Sequence, residues 1–73
     1  MKRMIRLKVK ETAKQKGISQ GKLSRLSDVD LTTLQRIYRQ PESANITLYT
    51  LDRLAKALGV DASELIESIP DED

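Results

Sequence analysis

The sequence predicts an all-α fold, a compact bundle of five helices around one core, and three observations lead there. Apolar residues recur at helical spacing, most clearly in Leu48, Leu51, Leu54, Ala55 and Leu58, which share one face at about 100° per residue. Helix punctuation falls where that spacing starts and stops, with Ser19, Asp30, Thr47 and Asp61 as N-caps and Gly17 and Gly59 as C-terminal stops. The apolar content is aliphatic, with no Phe or Trp and with Tyr38 and Tyr49 the only aromatics. With 73 residues, the chain forms a single domain, residues 1–73, near the lower size limit for independent folding.

In chain order, Ile5, Leu7 and Val9 alternate with Arg6, Lys8 and Lys10, the period of a strand. An extended arm to about residue 7 is expected, followed by a first helix from Val9 to Lys16, closed by Gly17; a single helix starting near Met4 is the alternative. Ile18 packs inward at the entry to a second helix, Ser19 to Ser27, with Leu23 and Leu26 on one face. Asp28 stands where the chain must turn sharply, a place for left-handed backbone that Asp tolerates, and Val29 plugs the corner into the core. A third helix, about residues 31–39, follows Asp30 and directs Leu34 and Ile37 inward. Pro41 stops it, and Ile46 anchors the loop that follows. The fourth helix runs from its cap at Thr47 to Leu58. Asp61-Ala62-Ser63-Glu64 is a capping-box pattern opening a short fifth helix. Residues 67–69 are suited to pair with the N-terminal arm as a two-strand ribbon, ahead of an acidic tail at residues 70–73.

Two short helices joined by a tight corner, residues 19–39, form a helix-turn-helix pattern. The outer arc of its second helix carries Thr32, Gln35, Arg36 and Arg39. That arc has hydrogen-bond donors and positive charge but no carboxylate, and a helix of this kind fits the major groove of DNA, about 12 Å wide. The competing reading is an ordinary helical corner with a solvated polar face. Charge distribution favours the groove. Residues 1–40 carry eleven Lys or Arg against Glu11, Asp28 and Asp30, a net +8, whereas residues 41–73 carry net −6. A polyanion is drawn to the first half and repelled by the second.

Composition also excludes. Without Cys there is no disulfide framework or thiolate metal site, which suits a reducing cytoplasm. Without His the commonest metal ligand and general base are missing. No cofactor, metal or small-molecule effector is expected, and an enzyme is disfavoured. No apolar run approaches the roughly 20 residues of a membrane span, so a soluble, cytoplasmic protein is expected. Single-strand RNA binding is disfavoured because no aromatic pair stands together for base stacking.

The run Gly17-Ile18-Ser19-Gln20, then Leu23, Val29, Thr33-Leu34, Arg36-Ile37, Leu51 and Leu54-Ala55-Lys56-Ala57-Leu58-Gly59-Val60, resembles the XRE or Cro-like helix-turn-helix family over roughly residues 5–69. The opening Met4-Ile5-Arg6-Leu7 and the ending Leu65-Ile66 with Ile69-Pro70-Asp71-Glu72 further resemble its small bacterial and phage regulators. Asp28 departs from the family's usual turn Gly, and Tyr38-Arg39-Gln40 from its usual helix end. The resemblance implies a five-helix DNA-binding domain with the third helix in the major groove. It places Leu31, Thr32 and Arg36 at base edges and Gln20 on a phosphate.

The leading functional reading is therefore a sequence-specific regulator of transcription that binds double-stranded DNA. Arg36 can donate two hydrogen bonds to guanine, Thr32 can offer a hydroxyl or a methyl, and Leu31 only an apolar contact. Gln35 and Arg39 can reach bases or phosphates; Gln35 is grouped with the base readers. Gln20, Lys22, Thr33, Arg39 and Lys10 are the phosphate candidates, with Lys2 and Arg3 of the arm beside them. Such regulators often bind palindromes, which allows a homodimer. The alternative from another class is a protein-interaction module, such as an antitoxin or accessory subunit, that uses the helix-turn-helix surface to grip a protein.

Overall fold

The computed structural model describes residues 4–70. The expected arm contacts of Lys2 and Arg3, and the acidic residues 71–73, lie outside them. The described chain runs β1 (Met4–Leu7), α1 (Val9–Gln15), α2 (Gln20–Ser27), α3 (Leu31–Arg39), α4 (Leu48–Leu58), a single 3-10 turn (Ala62–Leu65) and β2 (Ile66–Ile69). The fold is thus mostly helical rather than all-α, and it has four α-helices, not five. At the expected fifth helix the Asp61 capping box does form. However, only four residues separate the cap from β2, and a turn that short closes with the tighter 3-10 hydrogen bond. Asp61 accepts from the amide of Ser63 at 3.1 Å, and this bond with the Ser63 hydroxyl holds its carboxyl below the usual range.

The arm is a strand. β1 and β2 pair antiparallel in the register Met4↔Ile69, Ile5↔Ser68, Arg6↔Glu67 and Leu7↔Ile66, which rules out the alternative helix from Met4. The ribbon is fastened at its inner end, where the Lys8 amide donates to the Leu65 carbonyl at 2.7 Å and the Leu7 amide to the Pro41 carbonyl at 2.8 Å. Arg6 bridges Glu67 across the ribbon at 3.3 Å and also binds Glu11 on α1. Burial works to raise the Glu11 carboxyl, but its own backbone amide, Arg6 and Lys10 hold it below the usual range.

One core joins β1, the four helices and the 3-10 turn: Leu7, Val9, Ala13, Leu23, Val29, Leu34, Ile37, Leu51, Leu54, Ala55, Leu58 and Leu65 are buried, and Ile18 and Ile46 pack against its edge. Two residues that the spacing places on apolar faces are outside it. Leu26 is 54% exposed, because the buried face of α2 runs through Leu23 and Ser27, four residues apart, rather than Leu23 and Leu26. Leu48 is 83% exposed. It has the right angle for the α4 stripe but lies in the first turn, beside an open apolar groove lined by Ile5, Leu7, Ile46, Leu51 and Ile66.

Candidate nucleic-acid interface

The helical corner begins at Ser19, whose Oγ accepts from the Lys22 amide at 3.2 Å and so caps α2. α2 ends at Asp28, the sole non-glycine residue with positive φ among those described, at φ 58° and ψ 32°. The left-handed turn expected at Asp28 is therefore present, and Val29 is buried beneath it. Hydroxyls knit the corner from inside. Ser24 Oγ donates to the Val29 carbonyl at 2.6 Å, and Ser27 Oγ donates to the Leu23 carbonyl at 2.6 Å while accepting from the Val29 amide at 3.3 Å.

A residue that the sequence reading did not single out holds the corner from outside. Arg53 on α4 donates through Nε to the Ser27 carbonyl at 2.9 Å, through Nη2 to Asp28 Oδ2 at 2.7 Å and through Nη1 to Tyr49 Oη at 2.6 Å. Its guanidinium also lies over the Tyr49 ring, 5.1 Å from the centroid. Burial works to lower the Arg53 pKa, but the bonds to Asp28 and Tyr49 outweigh it and raise it above the ordinary value. No local pattern signals its contact with the corner, because Asp28 and Ser27 are 25 and 26 residues away.

α3 stands directly on this corner. Asp30 occupies its N-cap position but makes no side-chain cap bond. Leu34 and Ile37 are buried, which turns Leu31, Thr32, Gln35, Arg36 and Arg39 outward, all exposed, with Thr33 half-buried at the margin. Among the described residues, Thr32, Gln35, Arg36 and Arg39 have no side-chain hydrogen bond or ion pair. They are held by the backbone of a seated helix and committed to nothing within the fold.

Gln20 from the start of α2 meets Gln35 and Arg39 around one shallow depression, with Tyr38 as its fourth wall. Lys10 does not join them. It lines a neighbouring cleft with Arg6, Glu11, Lys14, Tyr38 and Pro41, and Lys14 and Tyr38 there are residues that the sequence reading left out. Lys22 is exposed on α2 and lines neither depression. Tyr38 Oη is buried without a hydrogen-bond partner among the described residues, and burial pushes its pKa up. No group of three or more metal-ligating side chains comes together among the described residues. No helix there is long and apolar enough to cross a membrane.

The arrangement is a short helix, a tight corner and a second helix with an unpaired cationic face, and residues 8–71 match the family model of the Cro/C1-type helix-turn-helix DNA-binding domain. The chain belongs to that family. No curated protein matches it. Within this Cro/C1-type domain, α2, the corner at Asp28 and α3 all lie in the matched span, and the resemblance read over roughly residues 5–69 is borne out. The matched span takes in β2 and begins after β1.

Proposed function

We propose that this DNA-binding domain reads a specific double-stranded sequence as a transcriptional regulator, with α3 lying in the major groove. The observation that carries the reading is the outer face of α3, whose donors and cations are exposed and unpaired while the helix itself is seated by Leu34 and Ile37. Arg36, one turn beyond Thr32, reads guanine O6 and N7 with its planar fork; Thr32, Gln35 and the exposed Leu31 complete the base-reading set. Gln20 and Arg39, brought to one depression, hold a phosphate, and Lys22, Thr33 and Lys10 supply further backbone contacts. Two copies on a palindrome would present two such helices about 34 Å apart.

The alternative is a protein-interaction module that uses the helix-turn-helix surface; the uncharged groove beside Leu48, lined by Ile5, Ile46 and Ile66, lies away from that surface and does not favour it. Selection from a random duplex pool, followed by binding across a salt series, separates the two. A groove reader enriches a motif and weakens steeply with salt. A symmetric motif indicates a dimer. No enrichment transfers the function to the protein-interaction reading.

A further inference from the structure

We infer that Arg53, on α4 rather than on the reading helix, is the positioning residue that sets how α3 is presented to DNA, an inference that rests on the DNA-binding reading above. The last carbonyls of α2 have no partner within their own helix, and the chain leaves that helix through Asp28 in the left-handed region, which a residue with a Cβ resists. A single guanidinium answers both features, taking the Ser27 carbonyl at 2.9 Å and the Asp28 carboxylate at 2.7 Å. Its donors are fixed in one plane, so contact with two successive residues orients the corner instead of merely attracting it. The third nitrogen, Nη1, donates to Tyr49 Oη at 2.6 Å, one turn back on α4, which fixes the fork to its own helix. α4 in turn is seated by Leu51, Leu54 and Leu58. The corner is thereby registered to the core, and α3 is registered to the corner.

The consequence for reading follows from helix geometry. Arg36 lies five residues past Leu31, about 7.5 Å along the axis at 1.5 Å per residue. A tilt of roughly 10° at the corner would carry it by more than about 1 Å, enough to break the alignment that a bidentate hydrogen bond to guanine needs. A lysine on a phosphate tolerates such a shift, because its flexible chain delivers a point charge. Loosening Arg53 should therefore damage base reading and spare non-specific attraction.

The test compares the wild type with Arg53→Lys, Arg53→Met and Asp28→Asn on a pool-selected duplex and a scrambled one, well below each variant's Tm. Arg53→Lys keeps the charge and loses the fork. It should lose about tenfold on the selected duplex and less than about twofold on the scrambled one, with an unchanged salt slope. Asp28→Asn keeps the bond to the Ser27 carbonyl and should lose less discrimination. A merely stabilising Arg53 would lower Tm and leave the ratio of the two affinities intact, which overturns the inference. Equal loss on both duplexes with a shallower salt slope makes Arg53 a phosphate contact and overturns it equally. If Arg53→Met fails to fold, Arg53→Lys and Asp28→Asn still decide. A wild type that cannot tell the two duplexes apart refutes the DNA reading itself, a failure distinct from that of Arg53.

Discussion

α3 and α4 each bury one apolar face, through Leu34 and Ile37 in the first and Leu51, Leu54, Ala55 and Leu58 in the second, but their ends and outer faces differ. α4 is closed at both ends: Thr47 Oγ1 accepts from the Thr50 amide at 3.1 Å, and Gly59 takes φ 70°. Its outward charges are engaged, Lys56 with Asp52 at 3.2 Å and Arg53 with the corner. α3 has an N-cap residue whose side chain makes no cap bond and, among the described residues, an outer face without partners. A helix that satisfies its own polar groups acts as scaffold. A helix seated only by its inner face, with its outer donors unspent, is available to something outside the chain.

The largest effects should come from what the two helices share. Leu34 and Leu54 are both fully buried, so Leu34→Ala and Leu54→Ala should each cost about 2–5 kcal/mol, a large part of the stability of so small a domain. Thermal or urea unfolding measures it. If Leu34→Ala melted like the parent, α3 would not be seated and the comparison would fail on its first term.

Next in size is the difference itself. Arg36→Ala should cost about 1–3 kcal/mol on the best duplex and relax specificity at one base position. Lys22→Ala should weaken all duplexes alike and reduce the log–log salt slope by roughly one unit. Titrating both variants against specific and scrambled duplexes across salt checks this; equal loss on both duplexes for Arg36→Ala would make it a backbone contact.

Much of this was legible because it is local. Caps at Ser19, Thr47 and Asp61, the left-handed Asp28 and the stripe Leu51–Leu54–Leu58 need only neighbours within a turn or two. The outer arc of α3 was legible for the same reason: once Leu34 and Ile37 point inward, helix geometry fixes where Thr32, Gln35, Arg36 and Arg39 face. The misreadings arose where distant chain decides. Spacing alone cannot choose between Leu26 and Ser27 as the partner of Leu23, and here α4 packs on the side that covers Ser27. Leu48 fits the α4 stripe by angle, yet no element covers it from above. Arg53 reads as one more surface charge until the fold places it against Ser27 and Asp28. The fifth helix was over-read because a capping box marks where a helix starts and says nothing of how soon a strand will interrupt it.

The corner offers a smaller effect. Asp28→Gly relieves the left-handed strain while losing the carboxylate that Arg53 holds, so its stability should stay near that of the parent. Asp28→Val loses the same bond and adds a β-branch at φ 58°, which should cost about 1–2 kcal/mol relative to Gly. Unfolding of the two variants side by side measures this. Equal stability would show that the positive φ imposes no cost there.

Tyr38 tests the one place where α3 leaves a polar group buried without a partner. Removing only the hydroxyl, Tyr38→Phe should stabilise the domain by about 1 kcal/mol, since an unsatisfied buried hydroxyl is a net cost. The pH dependence has a definite sign. Burial raises the folded-state pKa of Tyr38, so its contribution is present below the unfolded value, about 10, and is lost as pH rises through the folded value. The parent should lose stability in that alkaline window faster than Tyr38→Phe, and identical alkaline profiles would show the ring is not desolvated.

The smallest effect is expected on the outer face of α4, where Lys56 and Asp52 form an exposed pair one turn apart at 3.2 Å. Surface pairs of this kind gain little Coulomb energy in water and must order two flexible side chains. Lys56→Ala also exchanges one good helix former for another, so it should shift stability by less than about 0.5 kcal/mol. Its effect on DNA separates the helices more sharply than its effect on melting. If α4 is scaffold, Lys56→Ala should leave both affinity for the selected duplex and the salt slope unchanged, in contrast with Lys22→Ala. A salt slope reduced by roughly one unit would mean that α4 also meets the DNA backbone, and the division between a presenting helix and a supporting one would have to be redrawn.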